Sequence, residues 1–305
     1  MRVVAVERGR RLARALVVLV VLAVAVLTGC SSGGSTGGSP SAGCPPQVDP
    51  AALACQLRAG DAVVRDPAAA PGVLADAGRS TQDAYRTLGD HPEWDGAVLA
   101  ALDPALRGQA QHALAAYRAL RALDGAPQTM LPAWRVVEPL PADQLRGYYD
   151  EAQRRYGVSW TVLAAVNLVE TRMGRVIGLS SAGAQGPMQF MPPTWAAYGL
   201  GGDVWDTRDA IMGAANYLAA NGGANPSRLD RALKRYNNDV RYVSAVREYA
   251  AMMDADPNAY RGLHAWPVEY RTVAGDIPLD PGYASDRRIP VGEWLETHPV
   301  VPGAR

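Results

Sequence analysis

The stretch Trp160-Thr161-Val162-Leu163-Ala164-Ala165-Val166-Asn167-Leu168-Val169-Glu170-Thr171-Arg172-Met173-Gly174 decides the fold. Its apolar residues cover most of the circumference of a helix, so the segment is expected to be buried on nearly all sides. Ser159 stands at the expected N-cap and Gly174 at the expected stop. Glu170 sits at the C-terminal end of this apolar rod, where desolvation and the negative pole of the helix both disfavour ionisation. A carboxyl kept protonated near neutral pH is what a glycosidase needs to protonate a leaving oxygen. The plainer alternative is a surface glutamate at a frayed end, paired with Arg172 or Arg175, and helix pattern alone favours it.

Further along runs Ser180-Ser181-Ala182-Gly183-Ala184-Gln185-Gly186-Pro187-Met188-Gln189-Phe190-Met191-Pro192. Gly183, Ala184 and Gly186 let the backbone approach a ligand or another surface closely. Ser180 and Gln189 offer hydrogen-bonding groups for hydroxyls and acetamides. Phe190, the only phenylalanine in the chain, is expected to anchor the loop.

Outward from this centre the pattern stays helical. Pro141–Tyr156 reads as an amphipathic helix stopped by Gly157, and Asp206 or Asp209 can cap a helix over Ala210–Ala220. Two more helices are expected near Ser227–Tyr236 and Asp239–Met253. The prolines of 126–142 mark a boundary, and residues 48–126 form an Ala- and Leu-rich helical region without a chemical motif. After Pro257 a short, irregular C-terminal extension, 257–305, holds a short hairpin around Val268–Val273 and Ile277.

The two ends carry a different message. Arg2, Arg8, Arg10, Arg11 and Arg14 precede an apolar run, Ala15–Leu27, that is short for a bilayer span of about 20 residues. Leu27-Thr28-Gly29-Cys30 resembles the lipobox of bacterial lipoproteins, which implies a signal peptide at 1–29 and a lipid on Cys30. An uncleaved membrane anchor is the alternative. A flexible tether, 30–47, follows. Without the leader the totals of 30 basic and 30 acidic residues lose five arginines and Glu7, leaving 25 and 29, a net charge of −4. That balance offers no electrostatic footprint for nucleic acid. In an oxidising exterior Cys44 and Cys55 can pair or remain free thiols. His91, His112, His264 and His298 are scattered without metal-ligand spacing, so neither a metal nor another cofactor is expected.

Glu170-Thr171-x-x-Gly174, the Ser180–Pro192 loop, Asp209-Ala210-Ile211 with Ala215-Asn216-Tyr217-Leu218, and Tyr236-Asn237 with Tyr242-Val243 together resemble the lytic transglycosylases. The Gln-Phe-Met-Pro, Ala-Asn-Tyr-Leu and Tyr-Asn forms look closest to the membrane-bound B-type branch. The resemblance implies a mainly α, lysozyme-like catalytic domain over 140–256 that acts on peptidoglycan glycan strands in the cell envelope. It makes Glu170 the catalytic acid, and assigns Ser180, Gln189, Tyr217, Tyr236 and Asn237 to substrate binding. By pattern alone Tyr217 and Tyr236 read equally as core aromatics.

Three departures stand out. Pro187 replaces a larger apolar residue, Asp239 replaces a common serine, and the segment Tyr198–Asp206 is too short and too poor in carboxylates for the branch's calcium loop. Hydrolysis of the lysozyme type needs two carboxylates. Asp203, Asp206 and Asp209 fit helix capping better than that role, which favours non-hydrolytic cleavage by one acid. A muramidase and a non-catalytic peptidoglycan-binding lipoprotein are the competing readings.

Overall fold

A computed structural model describes residues 43–45 and 47–299. The leader, Cys30 and most of the 30–47 tether lie outside the described residues. Cys44 and Cys55 are joined by a disulfide.

Four helices open the chain: α1 (Pro50–Arg65), α2 (Pro71–Asp90), α3 (Asp95–Ala100) and α4 (Pro104–Leu123). Asp49 and Asp103 begin α1 and α4 by accepting backbone N–H bonds, and each helix has a proline in its first turn. Then come β1 (Met130–Leu131), β2 (Arg135–Val136), α5 (Ala142–Tyr156), α6 (Trp160–Thr171) and β3 (Val176–Ile177). Next are α7 (Pro192–Tyr198), α8 (Thr207–Ala220), α9 (Leu229–Tyr236), α10 (Val240–Ala255) and α11 (Asn258–His264). The chain closes with the hairpin β4 (Val268–Thr272) and β5 (Gly275–Leu279), then β6 (Ile289–Pro290) and α12 (Val291–Thr297).

The architecture is mainly α, as the periodicity requires. One hydrophobic core runs from Leu53 in α1 to Trp266, taking in Leu88, Leu114, Leu163, Ile211, Val246 and Leu263. Helices on both sides of the proline-rich 126–142 segment share this core, and α4 lies along α10.

Several local expectations change. The 126–142 segment contains strands as well as a boundary. β1 pairs with β6 and β2 with β3, both antiparallel. Ser159 makes no side-chain cap on α6; Gln153 Oε1 accepts the Trp160 N–H instead, at 2.6 Å. The helix ends at Thr171 rather than Met173, because Arg172 and Met173 take left-handed conformations, φ 53° and 61°, ahead of Gly174. Asp239, uninterpreted in the sequence, is the N-cap of α10 and accepts from the Arg241 N–H at 2.9 Å.

The strands around 126–142 and 265–299 enclose a second, smaller core of Leu131, Val136, Val268, Ile277, Leu279, Tyr283 and Val291. The proline boundary and the C-terminal extension therefore build one small β-rich cap.

Gly78 of α2 sits directly against this part of the chain. A Cβ there would come within 2.5 Å of the Ala265 carbonyl oxygen. Gly78→Ala should therefore lower unfolding free energy by about 1–3 kcal/mol. Gly72→Ala, facing open space in the same helix, should be neutral or stabilising by less than about 1 kcal/mol. Urea unfolding of the two variants checks this; equal effects would contradict the docking of α2.

Candidate active site

Glu170 is set by the helix that carries it. Thr161 to Leu168 are buried, and the side chain emerges, partly buried, at the last turn of α6. It lies on the wall of a cleft of about 1010 Å³, along with Val169, Thr171, Arg172, Ser180 and Leu179.

Neither nearby arginine pairs with it. Arg175 holds Glu138 at 3.1 Å and donates to the His264 carbonyl at 3.1 Å. Arg172 lies over the Trp266 ring at 5.9 Å. The partner of Glu170 is Tyr242, whose hydroxyl donates to Oε1 at 2.7 Å. Burial pushes the carboxyl up to about 7, against the lowering effect of that hydrogen bond. The group can thus hold a proton near neutrality and release it without an ionic partner.

Aromatic rings fix the donor in turn. Tyr242 stacks on Tyr236 at 6.4 Å with planes 5° apart, and Tyr236 meets Tyr217 edge-on at 5.6 Å. The Tyr236 hydroxyl donates to the Met188 carbonyl at 2.6 Å, and the Tyr217 hydroxyl to the Arg235 carbonyl at 2.8 Å. Both therefore tie the loop and α9 to the acid, and neither lines the Glu170 cleft. Asn237 caps the end of α9 in extended backbone, beside Tyr236.

The loop after β3 is held just as firmly. Ser180 lines the cleft, but its Oγ accepts from the Ala182 and Ala184 N–H groups at 3.2 and 3.0 Å. Gln189, at φ 50°, donates to the Gly186 carbonyl at 3.0 Å and lies outside the cleft lining. Gly186 can be nothing larger, because a Cβ would fall 1.9 Å from the Val204 carbonyl oxygen at a φ of 73°. Phe190 is buried and packs edge-on against Trp195 at 5.1 Å, anchoring the loop as expected.

Asn167 and Thr171 clamp loop and helix together. Asn167 Nδ2 and Thr171 Oγ1 both donate to the Pro187 carbonyl, at 2.9 and 2.6 Å. The Tyr149 hydroxyl donates to Asn167 Oδ1 at 2.6 Å. Position 187 contributes its backbone carbonyl, so a proline there leaves the clamp intact.

Of the aspartates read as caps, Asp206 is the N-cap of α8, while Asp203 and Asp209 brace the loop before it. Asp206 Oδ1 accepts from the Asp209 N–H at 2.9 Å, and Asp209 Oδ2 from the Asp203 N–H at 3.1 Å. Other carboxylates line the Glu170 cleft: Asp124, Glu269, Asp276 and Asp286. Glu269, from β4, is pushed up to about 7, by burial first and then by Asp83 and Asp276, with Arg86 opposing. Among the described residues no three His, Cys, Asp or Glu side chains gather as a metal-ligand set. No described helix is long and apolar enough to cross a membrane.

Comparison with known proteins adds the family to this geometry. Residues 147–255 match the transglycosylase SLT domain. The match covers α6, the glycine-rich loop, α9 and all of α10, and so every group around Glu170 except the far side of the cleft. The membrane-bound lytic murein transglycosylase F of Thiobacillus denitrificans (strain ATCC 25259 / T1) is 30% identical over 158 residues, 46% of this chain and 33% of that protein. A protein named membrane-bound lytic murein transglycosylase F 1, from Alkalilimnicola ehrlichii (strain ATCC BAA-1101 / DSM 17681 / MLHE-1), is 28% identical over 132 residues, 41% of this chain and 26% of that one. The chain thus spans about a third or less of the curated relatives it matches. Both carry the F designation, a different branch name from the B-type that the motif forms resemble. No solved structure matches the chain.

The raised carboxyl has a thermodynamic signature. With a folded value of about 7 against an ordinary 4.5, the folded state resists ionisation, so its penalty is absent below pH 4.5 and complete above pH 7. Glu170→Gln should gain stability over the parent across that window, by up to about 3 kcal/mol. Tyr242→Phe should extend the window upward. Thermal unfolding at a series of pH values checks both, and a pH-independent difference for Glu170→Gln would contradict the assignment.

Proposed function

We propose that the chain is a peptidoglycan lytic transglycosylase that cleaves the β-1,4 bond between N-acetylmuramic acid and N-acetylglucosamine without water, with Glu170 as its single acid and base. The carrying observation is Glu170 itself, a carboxyl pushed up to about 7 on the wall of a long cleft inside the SLT-matching segment. The names of the two relatives support the same activity.

The mechanism follows from one group working twice. Neutral Glu170 gives its proton to the glycosidic oxygen as the bond to C1 of the muramoyl residue breaks, and the substrate's acetamide oxygen shields the cationic carbon. The Glu170 carboxylate, still hydrogen-bonded by Tyr242, then takes the proton of the muramoyl 6-hydroxyl. O6 closes on C1, leaving a 1,6-anhydro end and a neutral Glu170 ready for the next turn. Ser180 and the backbone of the loop would position the sugar, with Gln189 and Tyr236 bracing that loop through the Gly186 and Met188 carbonyls, and Tyr217 and Asn237 placed beside Tyr236.

Glu269 gives the hydrolase reading a footing, as one of the further carboxyls in the cleft. Its surroundings favour another role. It is held by Gln82 and Arg86, and a carboxyl raised to about 7 is a poor nucleophile or cation stabiliser at neutral pH.

We also propose that the protein works at the cell envelope, exported by the 1–29 leader and held to the membrane by lipid on Cys30, with 30–47 as a tether. Helices 48–126 and the 257–305 extension would flank the catalytic 140–256 segment.

Digestion of purified peptidoglycan, with mass spectrometry of the released muropeptides, tests the activity. Products lighter by one water than hydrolysed ones are expected. Hydrated reducing ends would mean a muramidase, and no release would mean a binding protein. Glu170→Gln should reduce release by at least about a hundredfold, and the rate of the parent enzyme should decline as pH rises through about 7, as the acid is lost.

A further inference from the structure

The far wall of the Glu170 cleft comes from outside the SLT-matching segment, and it is ionic. Gln82, Arg121, Asp124, Glu269, Arg271 and Asp276 line it. The sugar rings of a glycan strand present hydroxyls and acetamides, which call for hydrogen bonds and not for buried charges. Keeping charges in a cleft is unfavourable unless something compensates them.

The compensation of Glu269 is incomplete. Asp83, Glu269 and Asp276 surround Arg86 at 2.8, 3.6 and 4.0 Å. Arg121 reaches Asp276 at 3.2 Å and Asp90 at 3.8 Å. Arg86, whose Nε stands 3.6 Å from Glu269, is thus shared among three carboxylates. A second observation points to a missing donor. Gln82 is 6% exposed, and its amide faces Glu269, with Nε2 donating to Oε2 at 3.2 Å. Its buried Oε1 has no hydrogen-bond partner. Gln82 Oε1 is therefore an acceptor without a proton donor, beside the Glu269 carboxyl. Arg172 and Arg271 line the same cleft, which suits a ligand carrying both charges better than a simple cation.

We propose that this wall is a peptide subsite, in which Glu269 and Gln82 receive a free ammonium group on the peptide that hangs from the glycan strand. The inference rests on the glycan-cleaving reading above and adds a second recognition element to it. An ammonium brings several N–H donors and one positive charge, supplying a donor to Gln82 and a close counter-charge to Glu269 together. Burial raises the Glu269 carboxyl, and a bound ammonium would return it to the ionised form. The small β-rich cap, which contributes β4, then serves to place a peptide clamp beside a sugar site.

The test compares the full chain and its Glu269→Gln variant on three substrates: peptidoglycan with its peptides, the same glycan stripped of peptides, and peptide-bearing material whose free ammonium groups have been acetylated. Expected for the parent is a kcat/KM about tenfold lower on acetylated than on untreated material. Glu269→Gln should show about the same loss on untreated material, no further loss on acetylated, and parental rates on stripped glycan. An equal loss on all three would make Glu269 merely structural and overturn the subsite. So would a parent indifferent to acetylation, a comparison that needs no variant to fold. A parent inactive on every substrate would instead take down the glycan-cleaving reading, and the subsite with it.

Discussion

The site hangs on one carbonyl. Asn167 and Thr171, a helical turn apart on α6, both donate to the oxygen of Pro187 and so fasten the glycine-rich loop to the helix that carries Glu170. Buried polar groups stay buried only when satisfied. Asn167, Thr171 and Tyr149 satisfy one another and the loop in one network. Through it the end of α6 and the glycine-rich loop are held together, and Glu170 takes its position from residues that never touch it.

The acid character of Glu170 comes from the same economy of partners. The helix is buried almost all round, the chain turns away through two left-handed residues, and the two nearby arginines are directed elsewhere. What remains beside the carboxyl is a neutral hydroxyl, Tyr242, held by its stacked neighbour Tyr236. A neutral donor tempers the shift without reversing it, whereas an arginine would have ionised the group outright. Tyr236 also reaches the loop through the Met188 carbonyl, so the acid's donor and the loop are held by the same ring stack.

Much of this was legible in the residues. The nearly continuous apolar run of α6 announced its burial, while the position of Glu170 at its end allowed a perturbed acid that only the neighbouring motifs favoured over a surface glutamate. Capping aspartates at 206 and 239 obey a local rule, although only the structure revealed that of Asp239. Tyr242 escaped as an individual residue because a tyrosine at helical spacing looks the same whether it packs or donates. Asn167 left a signal that went unused, since a lone amide in an apolar helix must find partners. The two-residue strands around 126–142 are too short to show a period, and their partners lie far along the chain. Glu269 had no local signature at all. It joins the cleft only because a hairpin beyond the SLT-matching segment folds back over it.

Every part of the account requires that Glu170 stay protonated to near neutrality. Titration of its side-chain carboxyl by carbon-13 NMR, in the folded full chain with Glu170→Gln to identify the resonance, measures this directly. A midpoint near 7 is expected; one near the ordinary 4.5 would contradict the buried acid and the mechanism built on it.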